Sequence, residues 1–336
     1  MKKSSRIVFA LLLVFVLVIS VTGCGSSGSS EDKGTEVQES NGEGLPDKIN
    51  MGTAGTGGTY FVLGAGLAQI IQNDLGIPTT AEVTAGSPEN IILMDNKEMT
   101  LGVISAEDGD LAVNGLDRYK KEYDLMAITP LYPNVTQPIV LAKSDIHTID
   151  DLRGRKVAVG AVGGGVYTMN KVLLGTLGID IEKDIKPIEI GLSEASIALQ
   201  DGTVDAAFQT TGAPAAFALE VESNVPIRII PLNDEEIDKL ITEQIYYQPI
   251  TIEANTYRTV TEDVQTIGSW ALLAANSNLS EEAAYSITKA IYDNLDDVHD
   301  VHAVAKFIDP KNLKNSTIPY HPGAIKYFEE KGYEYK

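Results

Sequence analysis

The chain has 336 residues, with 26 Lys+Arg against 47 Asp+Glu and a formal net charge of -21. A surface of that sign repels phosphate backbones and anionic headgroups, which excludes nucleic acid and a charged membrane surface as electrostatic partners. The length suits two α/β lobes of ordinary size, and a single cysteine, Cys24, excludes an intrachain disulfide.

In chain order, Lys2, Lys3 and Arg6 precede an apolar run over 7–19 and then Ser20-Val21-Thr22-Gly23-Cys24. A basic start, a short apolar core and small residues before a cut site describe an export signal over 1–23, too short to span a membrane comfortably. Val21-Thr22-Gly23-Cys24 resembles a bacterial lipobox, which implies lipidation of Cys24 and a lipid anchor on the outer face of the cytoplasmic membrane. Residues 24–45 are mostly Gly, Ser, Glu, Asp and Asn, and they read as a flexible tether because they hold too little apolar surface to order.

The stretch 49–68 reads as a short strand, a Gly/Thr loop and a helix. Gly52-Thr53-Ala54-Gly55-Thr56-Gly57-Gly58-Thr59-Tyr60 offers close backbone approach, three hydroxyls and helix-initial N–H groups suited to an anion. It has no Lys, which argues against a phosphate loop, and its spacing misses the dinucleotide glycine pattern; a Gly-rich turn without a ligand is the alternative. The helix that follows carries Leu63, Leu67, Ile70 and Ile71 on one face.

The same plan recurs from 156. Val157-Ala158-Val159 leads to Gly163-Gly164-Gly165-Val166-Tyr167 and a helix aligning Met169, Leu173 and Leu177. In each half a second strand ends in Gly-Ser or Gly-Leu-Ser, making Ser87 and Ser193 expected N-caps, and a third strand closes the unit at 101–104 and 206–209. Strands alternating with helices imply parallel sheets whose ligands sit beyond the strands' carboxyl ends. Two such edges facing each other make a cleft; two independent domains without a shared site are the alternative.

Between the halves, 125–130 and 139–142 read as strands joined by a turn at 131–134. Further on, 234–244 reads as a helix capped by Asn233, 270–275 as a strand and 281–295 as a helix. His299 and His302 stand three apart beside Asp296, Asp297 and Asp300, a pattern that fits a solvated acidic helix end better than a metal site. No G-x-S-x-G elbow is present, and Tyr60 and Tyr167 read as packing residues with ligand-facing hydroxyls, so no catalysis, cofactor or metal is expected.

These residues resemble a known family, the solute receptors of tripartite ATP-independent periplasmic (TRAP) transporters, in the TAXI subclass. The match is strongest at 52–64 and at Gly86-Ser87-Pro88-Glu89-Asn90-Ile91. Asp151-Leu152-Arg153-Gly154-Arg155-Lys156 and Asp201-Gly202-Thr203-Val204-Asp205 are shared more widely, including with receptors of ABC importers. The resemblance covers about 48–333. It departs at Ser105-Ala106-Glu107, where Gln-x-Asp is usual, and at Gly163-Gly164-Gly165, where Pro-Gly-Ser is usual.

The resemblance implies a two-lobed periplasmic-binding-protein-like α/β fold of type II, each lobe a sheet flanked by helices, with lobes at 46–139 plus 274–336 and at 140–273. It implies capture of a small organic acid, a glutamate-like amino acid or a dicarboxylate, and delivery to integral membrane TRAP permease subunits. Expected ligand contacts are Thr53, Gly55, Thr56, Gly57, Gly58, Thr59 and Tyr60, with Ser87, Asn90 and Ser105. The other lobe supplies Gly163, Gly164, Gly165, Val166, Tyr167, Thr210, Thr211 and Gly212. Glu107 is either a partner for a ligand ammonium or a solvated rim residue. An ABC-importer receptor, a ligand-sensing lipoprotein and an enzyme on the same fold are the competing readings.

Overall fold

A computed structural model describes residues 44–336 apart from 162 and 245. The expected export signal, most of the expected tether and the lipidation at Cys24 lie outside the described residues. The first unit runs β1 (Ile49–Gly52), α1 (Thr59–Leu75), β2 (Thr79–Glu82), α2 (Ser87–Asp95), β3 (Leu101–Ser105) and α3 (Ala106–Val113). β1 lies between β2 and β3 and is parallel to both. The apolar face of α1 places Leu63, Leu67 and Ile71 in one core with Ile49 and Met51. Each such side chain contributes about 1.5–3 kcal/mol by burial.

One 17-residue strand, β4 (Leu125–Leu141), replaces the two short strands and the turn expected at 131–134. The Pro-Asn signal is overridden because both edges of the strand are paired and Tyr132 and Asn134 are buried in it. Bulges absorb the irregularity: pairing slips so that Ile128 and Leu131 stand as extra residues, beside Pro130.

The second unit repeats the first with β5 (Lys156–Ala158), α4 (Gly165–Thr176), β6 (Lys186–Ile188), α5 (Leu192–Asp201) and β7 (Ala206–Thr211). β5 lies between β6 and β7, again parallel. α6 (Ala216–Asn224), β8 (Ile227–Ile229), α7 (Asp234–Glu243) and β9 (Gln248–Ile252) follow. At the start of α7, Asn233 and Glu236 form a reciprocal capping box. The chain returns through β10 (Val264–Asn276), α8 (Glu281–Asp293), α9 (Leu295–Val301) and α10 (Pro322–Lys331).

β4 and β10 join the halves. Paired antiparallel to each other, they occupy the middle of the order β2-β1-β3-β10-β4-β7-β5-β6. β10 pairs with β3 over 271–275 and with β9 over 264–268, while β4 pairs with β7 over 135–139. Each long strand therefore leaves one lobe and enters the other. The apolar cores follow suit: one gathers residues between 49 and 132 with others between 270 and 328, and two more gather residues between 135 and 267. Among the described residues no helix is long and apolar enough to cross a membrane.

Two expected caps are displaced. Gly86 and Gly191 occupy the N-cap positions, and Ser87 is the first residue of α2 rather than its cap. The Ser87 hydroxyl instead accepts from the Ser105 N–H at 2.9 Å, tying α2 to the end of β3.

Candidate functional site

The parallel strands of both lobes end toward one space, and five helices begin there. A cavity of about 70 Å³ lies between the lobes, roughly five times the ~10–15 Å³ that one water requires. Its wall is built at helix starts: Gly58, Thr59 and Tyr60 at α1, Gly86 and Ser87 at α2, and Ser105 and Asp108 at α3. Gly165, Val166 and Met169 come from α4 and Leu192 from α5, with Thr210 and Thr211 from β7 and Asn134 from β4. First-turn N–H groups such as those of Thr59, Tyr60, Gly165 and Val166 have no intrahelical partner, and each helix dipole adds partial positive charge. No Lys or Arg lines the cavity among the described residues.

Hydroxyls and one amide complete the polar wall. Thr59 Oγ1 and Thr211 Oγ1 stand 3.3 Å apart across the cleft, and Thr210 Oγ1 and Thr136 Oγ1 3.1 Å apart. Asn134 Nδ2 donates to Tyr60 Oη at 2.9 Å. Burial holds the Tyr60 phenol above its ordinary range, so it stays protonated and able to donate.

Among the described residues Asp108 is the one carboxylate in the wall. Ser105 Oγ caps α3 by accepting from the Asp108 N–H at 3.0 Å and lies 3.0 Å from Asp108 Oδ2. Arg118 Nη1 and Tyr119 Oη donate to Asp108 Oδ1 at 2.6 and 2.8 Å. One carboxylate oxygen is thus held from behind, and the other, Oδ2, lies near Gly165 on the opposite lobe. The Ser105-x-x-Asp108 capping pattern is the sequence signal that marks it.

Several expected site residues stand elsewhere. Glu107, expected to meet a ligand ammonium or to lie on a solvated rim, does neither: it is buried outside the cavity wall and accepts from Tyr247 Oη at 2.9 Å. On α3 consecutive residues point about 100° apart, so only Asp108 of the pair reaches the cavity. Thr53 donates its hydroxyl to the Glu82 carbonyl at 2.6 Å. Gly55, Thr56 and Gly163 are exposed, and Tyr167 packs on the second lobe's core. The N–H groups of Gly58 and Gly164 close local turns onto Gly55 and Ala161, so neither is available to a guest.

Gly57 and Gly212 act by allowing the lobes to meet. A Cβ on Gly57 would stand 2.5 Å from Ser193 Oγ and 2.9 Å from the Ser193 backbone nitrogen, and one on Gly212 would stand 2.8 Å from Thr59 Oγ1. Both are close approaches that any side chain would obstruct.

Asn90 is a brace. Its Nδ2 donates to the Thr53 and Val103 carbonyls at 2.7 and 2.8 Å, bridging β1 and β3, while its Oδ1 accepts from Thr84 at 2.8 Å. Asn170 bridges Val159 and Phe208 in the second lobe in the same way. Replacing Asn90 by Ala removes its hydrogen bonds to Thr53, Val103 and Thr84 and is expected to cost about 2–4 kcal/mol of stability. Urea unfolding checks this, and a loss below about 0.5 kcal/mol contradicts the bracing role.

With this geometry in place, one further observation decides the family: the model of the NMT1-like family matches residues 51–332. The chain belongs to the NMT1-like family. Among solved structures, this NMT1-like protein is similar to MatC from Rhodopseudomonas palustris with bound malate, at 15% identity, covering 85% of this chain and 96% of that one, with a TM-score of 0.56. It is also similar to the periplasmic aliphatic sulphonate binding protein SsuA from Escherichia coli, at 16% identity over 81% and 84% of the two chains, TM-score 0.43. For the GluR0 ligand-binding core from Nostoc punctiforme in complex with L-glutamate the values are 18%, 75%, 96% and 0.47. The likeness to MatC shows the two-lobed periplasmic-binding-protein fold for this NMT1-like chain.

Proposed function

We propose that the chain is an exported, lipid-anchored solute receptor of the TAXI subclass. It captures a small organic acid, a glutamate-like amino acid or a dicarboxylate, and hands it to the membrane subunits of a TRAP transporter. The lobes are taken as 46–139 plus 274–336 and 140–273, with β4 and β10 as the hinge. The observation that carries this reading is the cavity itself: it lies between two lobes, is lined by five helix starts, and is free of Lys and Arg in its described wall. Helix N-termini hold a carboxylate with directed N–H groups and partial charge instead of a full counter-charge. That suits reversible capture, because binding then depends on the difference between open and closed states. A malate-bound protein of the same fold supports the acid class. Thr59, Tyr60, Ser87, Ser105, Gly165, Val166, Thr210 and Thr211 are the proposed ligand contacts from the expected set, with Asp108 and Asn134 added.

A receptor returns its solute unchanged. Native mass spectrometry of the chain isolated without added solute, followed by chromatography of the released guest and of a panel of incubated acids, is expected to recover each acid intact. Appearance of a product from any of them would replace the receptor reading with an enzyme.

A further inference from the structure

α3 faces two ways. Asp108 is part of the cavity wall, whereas its neighbours meet the other lobe: Tyr247 Oη donates to Glu107 Oε2 at 2.9 Å and Tyr246 Oη donates to Asp110 Oδ2 at 2.8 Å. Both tyrosines stand between α7 and β9 and are seated in the second lobe's core, Tyr247 buried and Tyr246 packed beside it. α3 is rooted in the first lobe's core through Ala106 and Ala112. Parting the lobes about β4 and β10 therefore breaks both hydrogen bonds and returns Glu107, 4% exposed here, to water.

Around Glu107 negative charge is in surplus. Asp108 and Asp110 share its helix and Asp117 follows. The salt-bridge partner of Glu107, Asp108 and Asp117 among the described residues is one guanidinium, Arg118, at 3.9, 2.6 and 3.6 Å respectively. Arg118 is thus committed mainly to Asp108. From the other lobe Glu107 meets the phenols of Tyr246 and Tyr247, which burial raises, Tyr246 to about 12, so both remain protonated donors. Closing the cleft over an ionised Glu107 buries an anion with a weakly placed counter-charge, which is costly.

We propose that α3 and the Tyr246–Tyr247 segment form a clasp on the closed cleft, and that closure is coupled to uptake of a proton by Glu107. Acid pH holds the cleft shut, and rising pH loosens it. Burial first, and then the Asp108 carboxylate, push Glu107 up to about 7, whereas a solvated glutamate titrates near ~4.3. The closed form binds the proton more tightly than the open form. Its advantage is full below the open-state pKa and is lost as pH rises through about 7.

The clasp rests on the cleft being one that closes on a solute, but its test uses none, so failure of the clasp and failure of the receptor assignment are separate results. Spin labels on Ile92→Cys and Ile197→Cys, exposed positions on α2 and α5, in a full-length Cys24→Ser background, report the spacing between the lobes. The closed-to-open ratio of the solute-free protein is expected to fall roughly tenfold or more between about pH 5.5 and about pH 8. Glu107→Gln keeps an acceptor for the Tyr247 hydroxyl without the charge, so its ratio stays flat across that range. Tyr247→Phe removes a hydrogen bond that favours the Glu107 carboxylate, so it lowers the closed share while the fall with rising pH persists or steepens. This readout stands even if Glu107→Gln fails to fold, and a Tyr247→Phe profile flatter than wild type also overturns the proposal. A wild-type ratio that does not change with pH, at any value including fully open, overturns the proposal, as does Glu107→Gln following the wild-type profile.

Discussion

Gly57→Val is expected to weaken solute binding about 100-fold without unfolding the protein. The added Cβ would stand 2.9 Å from the Ser193 backbone nitrogen, and the backbone at the start of α5 cannot swing aside as a side chain would. Overpacking of this kind costs up to ~3 kcal/mol, and each 1.4 kcal/mol is about tenfold in affinity. The clash exists only where the lobes meet, so the closed state bears the cost. Each lobe keeps its own core, and the melting temperature should stay within a few degrees. Gly55→Val is the control: nothing lies within 4 Å of a Cβ at Gly55, so its affinity should remain within about threefold of wild type. Equal losses in the two variants would remove the assigned role of Gly57 at the lobe contact.

Asp108→Asn should separate the two classes of acid. The carboxylate is held from behind by Arg118 and Tyr119 and presents its other oxygen toward Gly165 across the cleft. Losing a charge partner at a buried site costs about 2–5 kcal/mol, so an amino acid whose ammonium meets Asp108 should bind at least about 30-fold more weakly. A dicarboxylate, relieved of a like charge in the wall, should bind as well or better. Calorimetry on glutamate and succinate with wild type and variant decides between them. Parallel changes for both solutes would show that Asp108 does not contact the guest.

The repeated strand, loop and helix plan is legible in the sequence because helix-spaced apolar faces such as Leu63, Leu67 and Ile71 survive intact in the packed lobe. β4 is not legible as one strand. Its Pro-Asn signal is a local preference, whereas the continuous strand is fixed by long-range pairing with β10 and β7. Misreading that stretch also hides Asn134, which enters the cavity wall from mid-strand. The choice between Glu107 and Asp108 depends on the angular position of α3, which adjacent acidic residues do not encode. The Ser105-x-x-Asp108 cap was the usable signal. Met169 and Leu192 enter the wall as apolar helix residues like any others, with no mark in the sequence. Gly57 and Gly212, expected as ligand contacts, instead allow the lobes to approach, a role that emerges only when the second lobe is in place.

The most direct test is isothermal calorimetry of the purified chain against glutamate, glutamine, succinate, 2-oxoglutarate and aromatic acids, with Gly57→Val run alongside. At least one acid should bind wild type at micromolar affinity or tighter, about −8 kcal/mol, and the same acid should bind Gly57→Val about 100-fold more weakly. A flat response of the wild-type protein to every small acid would contradict the assignment of this cleft as an acid receptor.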